Sequence, residues 1–270
     1  MIAVSVFLVG ILEYVSPIAG TLSAPSAAIL SSRPISSLKN SQNVAIIGGR
    51  PVAIEDYPYQ VYIARWGHFC GGAIISANFV ITAAHCVSNH PIQSFTIRAG
   101  SSNRLKGGPT HSIAEIIIHE NFNSYLENDI ALMKVNEPFI FDESRQPVGL
   151  FNQTKPIQPG ILANMSGWGV SEDNRSSELR AIQVPIVDQE ICNIVYSEIG
   201  GLGEARICAG YYNQEGKGPC FNDDGGPLVV EGRLVAIMSF VYFNCLPPNY
   251  PAIYSDIYYF RKWIERHAGF

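Results

Sequence analysis

The sequence predicts an all-β fold, a barrel or sandwich, finished by a single helix at the C-terminus. Short runs of β-branched and aromatic residues recur from Ile46 onward between clusters of Gly, Pro and Asn. PYQVYIAR, GGAIIS, FVITAA, SFTIRAG, AEIIIHE, IALMKV, LVVEG, LVAIMSF and AIYSDI are examples. Many short strands with regular turn signals are the pattern of a barrel or sandwich. The end of the chain changes period: in IYYFRKWIERHAGF, Ile257, Phe260, Trp263, Ile264 and His267 recur at helical spacing, which predicts an amphipathic helix docked on the body. Composition agrees with a packed globular chain, since 47% of the 270 residues are apolar and 15% charged.

The N-terminal part reads differently. Residues 1–20 hold an apolar run from Ile2 to Leu12, too short to span a bilayer, followed by small residues at Ala19, Gly20, Ser23 and Ala24. This predicts a secretory signal, although Glu13 interrupts the pattern and no Lys or Arg precedes the run. Residues 21–45 are rich in Ser, Ala, Pro and Asn and read as a pro-segment. No other segment is long enough for a transmembrane helix. The net charge of −5 offers no footprint for nucleic acid or an anionic membrane.

Six cysteines, Cys70, Cys86, Cys192, Cys208, Cys220 and Cys245, contain no C-x-x-C pair. An even count behind a signal sequence favours disulfides over a zinc or redox site, and spacing alone leaves fifteen connectivities open.

Five short motifs then occur in a fixed order. IIGG opens the patterned region at Ile46, TAAHC places His85 beside Cys86, NDIAL places Asp129 at the head of a strand, SGWG spans 166–169, and CFNDDGGP runs from Cys220 to Pro227. Together they resemble the chymotrypsin/trypsin family over residues 46–270. YPYQ, NDIALMK and SSELR are most similar to mite digestive trypsins, the group 3 mite allergens, and to their inactivated paralogues in scabies mites. The resemblance implies two six-stranded antiparallel β-barrels, about 46–155 and 156–256, with the helix over about 257–268. The TKP-containing segment 152–160 would join the halves. It also implies the disulfides Cys70–Cys86, Cys192–Cys208 and Cys220–Cys245.

The chemistry can be stated from the residues. A serine hydroxyl becomes a nucleophile when a histidine takes its proton, and the histidine needs a buried carboxylate to fix its tautomer. Backbone N–H groups converging at a glycine-rich turn stabilise the oxyanion. By resemblance, His85 is the base and Asp129 its orienting acid. The nucleophile loop of the family reads GDSGGP, whereas this chain has Asn222-Asp223-Asp224-Gly225-Gly226-Pro227. Asp224 stands at the serine position, and Asn222, with Asp224, at the oxyanion-hole positions. An aspartate would attack a carbonyl only to give an anhydride that reverts, and its charge opposes the oxyanion. Loss of the serine in a comparable triad costs roughly 10⁶ in turnover.

The specificity pocket is altered as well. Gly218 falls at its base, where trypsins carry aspartate, and Ser239, Phe240 and Val241 match the substrate-binding segment. Ala252 matches a wall position that is usually glycine. Val241 and Ala252 are expected to narrow the pocket, and Gly218 removes its charge. Ile46 and Asp223 correspond to the activation pair, but Ala45 precedes Ile46, so a trypsin would not make the cut. Asn152 and Asn174 are glycosylation candidates in expected loops, and the sequon at Asn164 lies in an expected strand. His85, Asp129 and Asp224 are not expected to converge on a metal, because the two carboxylates should face opposite ring nitrogens.

The expectation is therefore an inactive, secreted, extracellular protease homologue, monomeric and without cofactor or metal. It would act by binding a protein partner; the scabies-mite resemblance implies host plasma or complement proteins. The alternatives are a weak or unusual serine-type endopeptidase using His85 with water or Asp224, and a decoy that occupies inhibitors or substrates. Three segments, 101–111, 171–178 and 199–205, read as exposed loops suited to binding.

Overall fold

The apolar runs become strands because their residues alternate between two buried environments. A computed structural model describes residues 46–169, 177–212, 217–241, 245 and 249–270. The first half carries β1 (Arg50–Pro51), β2 (Gln60–Arg65), β3 (His68–Ile74), β4 (Phe79–Thr82), helix α1 (Ala84–Val87), β5 (Thr96–Ala99), β6 (Thr110–His111), β7 (Ile113–Ile118), β8 (Ala131–Val135) and β9 (Gly149–Leu150). The second carries β10 (Leu162–Gly167), β11 (Arg180–Val187), helix α2 (Gln189–Val195), β12 (Arg206–Ala209), β13 (Pro227–Val230), β14 (Arg233–Phe240), β15 (Ala252–Asp256) and helix α3 (Ile257–Ala268).

The first sheet runs β6-β5-β2-β3-β4-β8-β7. Only Ser112 separates β6 from β7, so its two ends are one interrupted strand and the sheet closes as a six-stranded barrel. The second runs β11-β10-β13-β14-β15-β12, and β12 pairs back onto β11, closing another ring of six. Two short strands join this second sheet from earlier in the chain: β1 pairs antiparallel with β11, and β9 runs parallel to β14. Among the described residues, closure leaves no long unpaired edge.

Strand periodicity explains how one barrel meets the other. In β4, Val80 points into the first barrel's core with Val61, Ile63, Ile97 and Met133. Its neighbours Phe79 and Ile81 join a second cluster that includes Met165, Leu228 and Ile237 of the second barrel. β4 is therefore buried throughout, as its unbroken apolar run requires. The approach is close at Gly71 in β3, where a Cβ would come within 2.9 Å of the Gly226 Cα. Buried Gln60 and Ser166 bridge the halves, the Ser166 hydroxyl donating to Gln60 Oε1 at 2.6 Å.

Helix α3 starts where the Asp256 carboxylate accepts the Tyr258 N–H and ends at Gly269 in the left-handed region (φ 80°). It buries Ile257, Phe260, Trp263 and Ile264, while His267 is half-buried. Each large apolar side chain contributes about 1.5–3 kcal/mol by leaving water. Trp263 Nε1 also donates to Glu120 Oε2 at 2.8 Å. Disulfides join Cys70–Cys86, Cys192–Cys208 and Cys220–Cys245. Among the described residues, no helix is long and apolar enough to cross a membrane.

Candidate active site

α1 presents His85 at the junction of the two barrels, and the segment leading into β8 presents Asp129. The Asp129 carboxylate grips the histidine twice. Its Oδ1 accepts the His85 backbone N–H at 2.8 Å and its Oδ2 lies 2.7 Å from Nδ1. An ionised carboxylate can only accept, so Nδ1 carries a hydrogen. Asp129 is itself held from the second barrel. The Ser239 hydroxyl donates to its Oδ2 at 2.6 Å, and the Ser255 hydroxyl donates to its backbone carbonyl at 2.6 Å. Ser239 lies in the segment read as substrate-binding, yet its hydroxyl serves the acid. Neither contact was legible from spacing, since the partners are 110 and 126 residues apart.

The 220–227 loop is fixed from beneath by Asp223, whose fully buried carboxylate accepts N–H groups from Gly169 at 2.8 Å and Cys220 at 3.0 Å. The SGWG motif thereby gains a physical meaning. A Cβ on Gly167 or Gly169 would fall 2.3 or 2.4 Å from an Asp223 oxygen, so both glycines make room for that carboxylate. Burial pushes Asp223 up to about 7 against the two N–H contacts, and the neighbouring Asp224 adds to the rise. Ile46 is also fully buried, and its neighbour Ile47 accepts the Gly218 N–H at 3.0 Å. Gly225 takes φ 75°, where a Cβ would collide with Thr82 Oγ1 and the Gly71 carbonyl.

Asp224 is half-buried, and its backbone carbonyl accepts the Gly71 N–H at 2.7 Å. Its side chain turns back into its own loop, where Oδ2 accepts the Asn222 N–H at 3.3 Å. Asn222 has φ 67°, in the left-handed region that asparagine tolerates. Among the described residues no hydrogen bond joins Asp224 to His85. The remaining ring nitrogen, Nε2, instead lies 3.7 Å from Cys86 Sγ. Burial pushes His85 down, but the Asp129 hydrogen bond and charge, with the Asp224 charge, outweigh it and leave the pKa raised. Burial raises Asp224 also, against the pull of His85 and the Asn222 N–H.

A cavity of about 180 Å³ opens on this group, lined among others by His85, Cys70, Cys86, Asn222 and Asp224. Ligand atoms of Cys70, His85 and Cys86 lie within 4.8 Å of one another, but both sulfurs are committed to a disulfide and are not thiolate ligands.

Of the expected pocket residues, Ser239 reaches the acid of this group, while Gly218, Val241 and Ala252 are not in the lining of the opening. Val241 and Ala252 are buried in the same apolar cluster as Cys220 and Cys245, and Gly218 has φ 152° with no atom within 4 Å of a Cβ. Asn152 is exposed after β9, Asn164 is half-buried in β10, and Asn174 lies outside the described residues. Of the three loops, 171–176 is outside the described residues. The 101–111 segment ends in β6, with His111 buried, and its start zips against 177–179, Asn103 bridging Glu178. Residues 199–203 line a larger cavity of about 580 Å³, bounded also by Tyr125, Arg206 and Phe240.

Two closed barrels with a His–Asp pair at their junction define a chymotrypsin-like protease scaffold. The trypsin family profile matches residues 46–264, and the chain belongs to that family. It is 34% identical to Trypsin 5G1 of Aedes aegypti over 83% of this chain and 85% of that protein. It is 37% identical to Trypsin delta of Drosophila melanogaster over 83% and 88%. Among solved structures, scabies mite inactivated protease paralogue S-D1 superposes with a TM-score of 0.75 at 27% identity, covering 83% of this chain and 97% of that one.

Proposed function

We propose that this protein is a secreted trypsin homologue that no longer hydrolyses peptides and acts by binding a protein partner through surface loops. One observation carries the reading. The Asn222 N–H, at the position that would steady a developing oxyanion, already faces the Asp224 carboxylate at 3.3 Å. An attacked carbonyl oxygen would there meet a fixed negative charge instead of a free donor. The likeness to a scabies mite inactivated protease paralogue supports the same conclusion. Complement components of host plasma are the partners we propose, and secretion agrees with three disulfides.

The test has two arms. The purified chain should show no turnover of peptide or ester substrates and take no phosphonyl adduct at residue 224. It should lower complement activation in human serum, and Asp224→Ala or His85→Ala should leave that effect intact. Turnover abolished by His85→Ala would overturn the inactive reading. Absence of any serum effect would remove the complement role alone.

A second reading, a weak hydrolase, draws on the intact pair of His85 and Asp129 at 2.7 Å, which could activate a water molecule. The same turnover measurement separates it from the first.

A further inference from the structure

We propose that the Cys70–Cys86 disulfide is a thiol–disulfide exchange site in which His85 assists departure of Cys86. The three disulfides differ in access. Cys192 and Cys208 are fully buried and Cys220 and Cys245 nearly so, whereas Cys70 and Cys86 are half-buried and both line the 180 Å³ cavity. The His85 side chain is itself 26% exposed there.

The geometry supplies the acid. With Nδ1–H committed to Asp129 at 2.7 Å, a hydrogen on Nε2 exists only in the imidazolium, and Nε2 lies 3.7 Å from Cys86 Sγ. A thiolate beside a cationic imidazole has a lowered pKa, and a leaving thiolate of lower pKa departs faster. The charged groups facing His85 are Asp129 from the segment before β8 and Asp224 from the 220–227 loop, both of which favour the imidazolium. Arg65 and His68 at the β2–β3 turn line the same cavity, with His90 3.4 Å from Arg65. These cationic and titratable nitrogens suit an anionic low-molecular-weight thiol such as glutathione.

The step balances as follows. The incoming thiol loses its proton to solvent and its thiolate attacks Cys70 Sγ. The Cys70–Cys86 bond breaks as the new S–S bond forms. Cys86 leaves with the electron pair as a thiolate, which pairs with the His85 imidazolium or takes its Nε2 proton. A second thiol then displaces the first from Cys70, releasing the small-molecule disulfide. The net change is a two-electron reduction by two thiols.

The experiment exposes the full chain to reduced glutathione across a pH series, quenches by alkylation, and maps all three disulfides by mass spectrometry. Cys70–Cys86 should open first, and the first adduct should sit on Cys70. Rates divided by the thiolate concentration should fall as pH rises through the His85 pKa. His85→Ala should lower the rate below that pKa by about tenfold and flatten the profile. The wild-type pH profile decides the matter even if that variant misfolds. An adduct on Cys86, opening no faster than at the other two disulfides, or a thiolate-normalised rate independent of pH would overturn the proposal.

Discussion

Asp223→Asn probes the group that holds the 220–227 loop in place. The carboxyl is fully buried, receives two backbone N–H groups, and is pushed from 3.8 up to about 7 by burial. Moving from 3.8 to about 7 corresponds to roughly 4 kcal/mol. The sign follows from proton counting. Between about pH 4 and 7 the folded state binds more protons at this site than the unfolded state, so stability falls as pH rises through that window and levels off above it. The amide cannot titrate, so the variant lacks this slope. It can still accept from Gly169 but presents a donor to the Cys220 N–H, which costs about 1–3 kcal/mol at every pH. The variant should therefore be less stable than the wild type near pH 4 and more stable near pH 8, by about 1–3 kcal/mol in each case. Urea unfolding followed by tryptophan fluorescence at several pH values measures the difference. Asp256 tilts both proteins alike and drops out of the difference, whereas the repulsion between Asp223 and Asp224 belongs to it. Parallel midpoint profiles from pH 4 to 8 would refute the raised pKa of this buried carboxyl. We further propose that cutting before Ile46 frees an amine that pairs with Asp223. In that form the carboxyl's pKa should be depressed, its stabilising effect present above the unfolded value and lost as pH falls through the folded one.

Three further outcomes are expected. NMR titration should place His85 above the ~6.5 of a free imidazole, with stability from this shift complete below the unfolded pKa and lost as pH rises through the folded one. Asp224→Asn should bring that pKa down, and an unchanged value would show that Asp224 does not act on the ring. Asp224→Ser alone should yield no trypsin-like turnover of arginine substrates, because Asn222, Gly218, Val241 and Ala252 remain. Residues of one site act non-additively, so restoration requires several changes together. Activity from the single reversion would refute the pocket assignment.

The architecture was legible wherever sequence pattern and burial coincide. All the apolar runs read as strands lie in strands, and α3 begins at Ile257 because its helical periodicity is backed by the Asp256 cap and the Gly269 stop. β11 was less visible. It contains Pro185, which argues against a strand, yet residues 180–185 pair along β10 and residues 186 and 187 along β12. The parallel pairing of β9 with β14 joins two residues to a strand over eighty positions away and leaves no local signal. In the site, residue types named the histidine and its acid, but not which way side chains turn. The return of Asp224 onto Asn222 N–H and the approach of Nε2 to Cys86 depend on rotamers within a tertiary junction. Both glycines of the SGWG segment have their reason in Asp223, more than fifty residues later.

The clamp around Asp129 bears on how a disabled enzyme ages. Its carboxylate and carbonyl receive four hydrogen bonds, two from the histidine of one half and one each from Ser239 and Ser255 of the other. Removing the carboxylate would leave the buried Ser239 hydroxyl, the His85 backbone N–H and its ring N–H without that partner, a cost borne by the whole body and not by turnover alone. The nucleophile's side chain holds nothing comparable, so it can change while the junction stands. Decay of such a site is therefore uneven: what persists records mechanical tenure, and what vanishes first is whatever served chemistry only. A tally of surviving triad members accordingly overstates how recently, or whether, a relative still cuts its substrate.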